Sequence, residues 1–73
     1  MKNFIEELDY KEKQELDSML AIAVIQAKQS VETYQKSLEL LPDDETIKIV
    51  LAEAVEELEL YKSILKKYRD YLI

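Results

Sequence analysis

The sequence predicts an all-α fold, an antiparallel two-helix hairpin preceded by a short N-terminal helical arm. The 73-residue chain contains no glycine and a single proline, so it lacks the residue that most readily adopts the positive φ of tight strand turns. Leu, Glu, Lys, Ala and Ile dominate the composition, which is typical of long helices. We expect one small domain over residues 1–73, close to the size at which a single core barely outweighs chain entropy.

Local signals predict where the helices begin and end. Pro42 disfavours helical conformation in the residue before it, and Asp43 or Asp44 can then accept hydrogen bonds from the first N–H groups of a second helix. Asp9 and Glu12 have the spacing of a capping box at the start of the first helix. These two boundaries predict two long helices joined by a very short link.

The predicted elements are an arm at about residues 4–8, a first helix at about 10–41 and a second at about 44–72. The apolar residues of both helices recur at alternating intervals of three and four, which indicates a left-handed antiparallel seam with a crossing angle near +20°. Turning the chain at Pro42 places Ala27 near Leu58 in this seam, so that large side chains face small ones.

More apolar residues are present than one seam can use. Residues 19–25 read MLAIAVI, and a helix that is apolar all round should be buried all round. Leaving such a cluster in water would expose a larger patch than soluble monomers usually carry. We therefore predict an interface formed by the apolar residues off or beside the seam: Met19, Ile22, Ile25, Ile49, Val50, Val55, Leu60 and Ile64.

Three partners could bury this surface: the N-terminal arm folding back, a second copy of the chain, or a different protein. The arm is short and reaches only the open end of the hairpin, whereas two-helix chains often pair into four-helix bundles. We expect a homodimer, with a heterologous protein target as the second possibility. The surface then belongs to a non-catalytic interaction module, such as a regulator, an inhibitor or an assembly factor.

Composition also argues against an enzyme and against a cofactor. The chain contains no histidine and no cysteine, so the usual base near neutral pH, the commonest metal ligand and the thiol nucleophile are missing. Without glycine no nucleotide-binding loop can be formed. The interaction function is thus reached largely by elimination.

One acidic stretch leaves a metal-binding alternative open. Residues 52–61, AEAVEELELY, resemble the metal-binding helix of ferritin-like di-iron proteins, some of which are also helical hairpins that pair across a dimer interface. That family's pattern has an inward Glu followed three residues later by His, whereas Leu60 follows Glu57 here, and Ala27 and Val31 are the inward positions opposite. The resemblance implies at most a degenerate, carboxylate-only metal-binding bundle; otherwise the stretch is a solvated acidic face.

Charge leaves a nucleic-acid role as a further alternative. Residues 62–71, KSILKKYRDY, interleave cations with tyrosines, as some nucleic-acid contacts do, although cations near a helix C-terminus also stabilise the helix dipole. Conversely, a net charge of −6 could mimic DNA. We expect neither nucleic acid nor a membrane as partner. The net charge of −6 argues against binding nucleic acid, and the longest uncharged run, residues 18–27, is far short of the ~20 residues that span a bilayer. A cytoplasmic location is the expectation.

Overall fold

The computed structural model describes residues 8–72, with side chains as far as residue 71. Within that range the chain forms two helices and no strand: α1 runs over Tyr10–Leu40 and α2 over Glu45–Leu72. The helices pack against each other as a hairpin, so the predicted all-α hairpin is confirmed. The predicted arm at about 4–8 lies outside the described residues except for Leu8, which forms a bend.

The start of α1 is fixed by the predicted capping box. Asp9 has extended backbone angles, and its Oδ1 accepts a hydrogen bond of 2.7 Å from the backbone N–H of Glu12. In return, the backbone N–H of Asp9 donates to Oε1 of Glu12 at 3.5 Å. Two of the N–H groups that a helix start would otherwise leave without partners are satisfied in this way.

The link between the helices is closed by hydrogen bonds and needs no positive φ. The backbone N–H of Leu41 donates to the carbonyl of Ser37 at 3.0 Å, and Leu41 leaves helical geometry with φ −130° immediately before Pro42. Asp44 then caps α2, because its Oδ1 accepts from the backbone N–H of Ile47 at 3.0 Å. All described residues have negative φ, so the chain makes this turn without glycine.

The core is a narrow strip between the two helices. Ala27 and Val31 of α1 form one buried cluster with Ala54 and Leu58 of α2. These are the residues that the predicted seam brings together at mid-height. Half-buried residues pack against this cluster from both helices: Val24, Tyr34, Leu51 and Tyr61.

Polar contacts join the helices at the open end of the hairpin. Tyr68 is only 3% exposed, and its hydroxyl donates a hydrogen bond of 2.7 Å to the backbone carbonyl of Lys13. The Arg69 guanidinium donates two hydrogen bonds to the Asp17 carboxylate, at 2.9 and 3.2 Å. A fork of this kind is directional, so it fixes the lengthwise register of α2 against α1.

We expect Tyr68→Phe to lower the free energy of unfolding by about 1 kcal/mol, because it removes one half-buried hydrogen bond and keeps the packed ring. Tyr10→Phe is the matched control, since the Tyr10 ring is 76% exposed and its hydroxyl bonds only within α1, to Gln14. Urea unfolding followed by circular dichroism, at one fixed chain concentration, measures both variants. Equal losses would contradict a tertiary role for the Tyr68 hydroxyl.

Candidate functional site

The hairpin leaves eleven large apolar side chains of the described residues exposed. Five described residues form its buried core, all of them apolar. Seven of the eight predicted interface residues are exposed, by between 39% and 67%, and Val50 is half-buried. The exposed seven are Met19, Ile22, Ile25, Ile49, Val55, Leu60 and Ile64.

The MLAIAVI stretch is divided between the seam and the solvent. Leu20 and Val24 are half-buried towards α2, whereas Met19, Ile22 and Ile25 are more than half exposed, at 67%, 52% and 55%. Successive helical residues are rotated by about 100°, so a seven-residue apolar run must point in all directions. One neighbouring helix therefore covers only part of it.

Exposed residues from both helices border one groove along the hairpin. The groove holds about 270 Å³ and is lined by Ala23, Gln26, Ala27, Ser30, Ala54, Glu57 and Tyr61. Residues three or four apart from these lining residues share their side of each helix. We call this side the groove face. Its outward positions are Met19, Ile22, Gln26 and Ser30 on α1, with Glu53, Glu57, Leu60 and Ile64 on α2.

The opposite side of the hairpin is dominated by charge. One side of α2 carries residues at intervals of seven: Lys48, Val55, Lys62 and Arg69. Arg69 also pairs across the hairpin with Asp17 on α1. We call this side the charged face.

The structure therefore separates the predicted interface residues into groups. Met19, Ile22, Leu60 and Ile64 lie together on the groove face, and Ile49 continues that face towards the turn. Val55 lies on the charged face. Ile25 is rotated by about 60° from Ile22 and by about 100° from the groove-lining Gln26, so it lies farther round α1 from the groove than Ile22 does.

The groove contains a hydrogen-bonded pair that the sequence analysis did not identify. The Tyr61 hydroxyl donates to Oε1 of Glu57 at 2.9 Å. The pKa of the Tyr61 phenol is raised above its usual 10.0. The hydrogen bond to Glu57 is the larger cause, and the negative charge of the carboxylate is the second. The spacing of four residues on a helix is the signal that could have indicated the pair. It holds the carboxylate beside the aromatic ring at the edge of the groove.

The acidic stretch of α2 does not form a cluster of ligands. Within residues 8–72 no group of three or more Asp, Glu, His or Cys side chains converges closely enough to hold a metal ion. At the inward level of a ferritin-like centre the hairpin carries Ala27 and Val31, both buried. These side chains offer no metal-ligand atom.

The basic end of α2 is partly engaged within the chain. Arg69 is paired with Asp17, and Lys62 lies 3.5 Å from Glu59. The Asp17–Arg69 pair lies 52 residues apart in sequence, so only the hairpin register reveals it. Neither described helix is both long enough and apolar enough to cross a membrane.

The chain matches no protein-family model, no curated protein and no solved structure.

The Asp17–Arg69 pair predicts a specific pH dependence of stability. The hydrogen bonds from Arg69 lower the pKa of Asp17 below its ordinary value of 3.8. A carboxyl group with a depressed pKa in the folded state stabilises the fold above its ordinary pKa and loses that contribution as pH falls through the depressed value. We expect Asp17→Asn to lower the urea midpoint at neutral pH, with the difference from the parent chain shrinking as pH falls below 3.8.

The control for this experiment is Asp17→Asn made in an Arg69→Gln background. If Arg69 is the cause of the shift, the second substitution adds little there at any pH. An undiminished effect of Asp17→Asn without Arg69 would contradict the assignment.

Proposed function

We propose that this protein is a non-catalytic protein–protein interaction module that self-associates as a four-helix bundle and acts as a regulator, inhibitor or assembly factor. The observation that carries the proposal is the imbalance of its apolar residues. Among the described residues, five apolar side chains are buried, whereas eleven large ones are exposed. A two-helix chain corrects such an imbalance by packing against another pair of helices.

The energetics favour association over an isolated hairpin. A core of this size supplies only a few kcal/mol, about 3–5 for chains below 70–80 residues, and the chain has no disulfide to add to it. Covering exposed apolar surface contributes roughly 25 cal/mol per Å², from which the entropic cost of association is subtracted. Even a small surplus makes the folded state depend on chain concentration.

The two other candidate functions draw less support from the described residues. A carboxylate metal centre would require acidic side chains to converge, and those of α2 are spread along an exposed surface. A nucleic-acid contact at the end of α2 would use Arg69, which is already held by Asp17. Both remain alternatives to the interaction module.

We expect sedimentation equilibrium over a hundredfold concentration range to show a dimer for the parent chain and a monomer for Ile22→Glu. The substitution would place an unpaired charge at a covered apolar position. Gln35→Glu is the control, since it adds the same charge at an exposed position of α1 and removes no apolar group. A parent chain that stays a folded monomer throughout would contradict self-association.

A further inference from the structure

We infer that a second copy of the chain docks on the groove face, with the two-fold axis parallel to the helices, so that α1 of each copy packs on α2 of the other. Both turns then lie at the same end of the four-helix bundle. This arrangement rests on the self-association proposed above, and it adds which face is used and how the copies are oriented.

The order of side chains along the groove face favours this arrangement. Going from the open end towards the turn, each helix presents two apolar side chains and then two polar ones. The two stripes lie at matching heights, because Ala27 and Leu58 belong to the same cluster at the centre of the hairpin. The α1 stripe is Met19, Ile22, Gln26, Ser30, and the α2 stripe is Ile64, Leu60, Glu57, Glu53.

Placing α1 of one copy on α2 of the other brings like surfaces together. Met19 and Ile22 meet Ile64 and Leu60 of the second copy, so the exposed apolar residues cover each other. A two-fold axis repeats every such contact, as an isologous interface requires.

The polar halves of the two stripes are also complementary. Gln26 carries two amide N–H donors, and the Ser30 hydroxyl, which now donates to the Gln26 carbonyl at 3.2 Å, can rotate. They would meet the carboxylates of Glu57 and Glu53, which accept hydrogen bonds. A carboxylate has about four acceptor sites, so the bond from Tyr61 to Glu57 leaves capacity for a second donor.

The alternative two-fold arrangement is electrostatically worse. With the axis perpendicular to the helices, α2 would pack on α2 and α1 on α1. Depending on register, Glu53 and Glu57 would then face the same carboxylates of the other copy or its apolar Leu60 and Ile64. The first register opposes like charges, and the second strips water from charged groups without giving them a partner.

The size of the groove face suits this occupant. The charged face keeps Lys48, Lys62 and Arg69 in solvent, whereas Lys67, three residues after Ile64, borders the groove face at the open end. The side of the hairpin that carries the groove face runs the length of the 31 residues of α1, about 45 Å, and is two helix widths, or about 20 Å, across. Its projected area of about 900 Å² per copy reaches the ~800 Å² per partner that stable interfaces bury.

A matched pair of isoleucines on α1 tests which face is covered. Ile22 is 52% exposed and Ile25 is 55% exposed, but Ile22 lies about 60° closer to the groove than Ile25 does. We expect Ile22→Glu to weaken the dimer by about a hundredfold or more in sedimentation equilibrium and Ile25→Glu to leave its dissociation constant nearly unchanged. Circular dichroism checks that each variant stays helical. A dimer split by Ile25→Glu and kept by Ile22→Glu would overturn the assignment of the face.

A distance measurement on the full-length chain tests the orientation independently. The chain has no cysteine, so Asp43→Cys in the exposed turn gives one labelling site per copy. Neighbouring helix axes lie about 8–10 Å apart, so we expect spin labels at the two turns within about 25 Å of each other.

Three other outcomes would overturn the inference. Spin labels about 45 Å apart or farther, one helix length, would establish the perpendicular axis. That result would contradict the proposed orientation but not self-association. A dimer that survives Ile22→Glu would contradict the assignment of the groove face as the interface, but not self-association. A labelled chain that remains a folded monomer would overturn both this arrangement and the proposed self-association, and would leave the groove face to a different protein.

Discussion

Two helices joined by a very short turn can cover only one strip of each other, and the other features of this protein follow from that constraint. The strip here is narrow, since its buried cluster consists of Ala27, Val31, Ala54 and Leu58. Side chains that point sideways from α1 or α2 find no third helix within the described chain. The surplus of exposed apolar surface is therefore a consequence of the architecture.

Hydrogen bonds fix the helix starts and the open end of the hairpin. Asp9 and Asp44 cap the two helix starts, and Tyr68 and Arg69 tie the open end of α2 to α1. The exposed contacts among them, those of Asp9 and Arg69, contribute modestly to stability. Their main effect is geometric, because they fix the register that sets Ile22 at about the height of Leu60 on the neighbouring helix.

Polar residues within the groove face restrict the orientation in which a second copy can dock on it. A purely apolar face could pair with a second copy in several registers, since the hydrophobic effect is not directional. Glu57, held by the Tyr61 hydroxyl, and Gln26 across the groove restrict which surfaces can meet without stranding a charge. A small number of polar groups at a helical interface commonly sets register and orientation at some cost in stability.

The sequence by itself determined the two helices, their capped starts, the turn at Pro42 and the residues of the seam. These features depend on local signals, namely capping spacing, proline geometry and the 3.6-residue period, which act between near neighbours in the chain. The choice between Asp43 and Asp44 as the second cap was left to the structure, because either side chain can reach the free N–H groups.

Only the tertiary structure decided how the exposed apolar residues are grouped. All eight were predicted to form one interface, but the hairpin places Val55 on the charged face and Ile25 farther from the groove than Ile22. That division depends on the register and on the rotation of each helix about its axis. Both depend on contacts between the helices: the buried cluster of Ala27, Val31, Ala54 and Leu58, and the hydrogen bonds of Tyr68 to Lys13 and of Arg69 to Asp17.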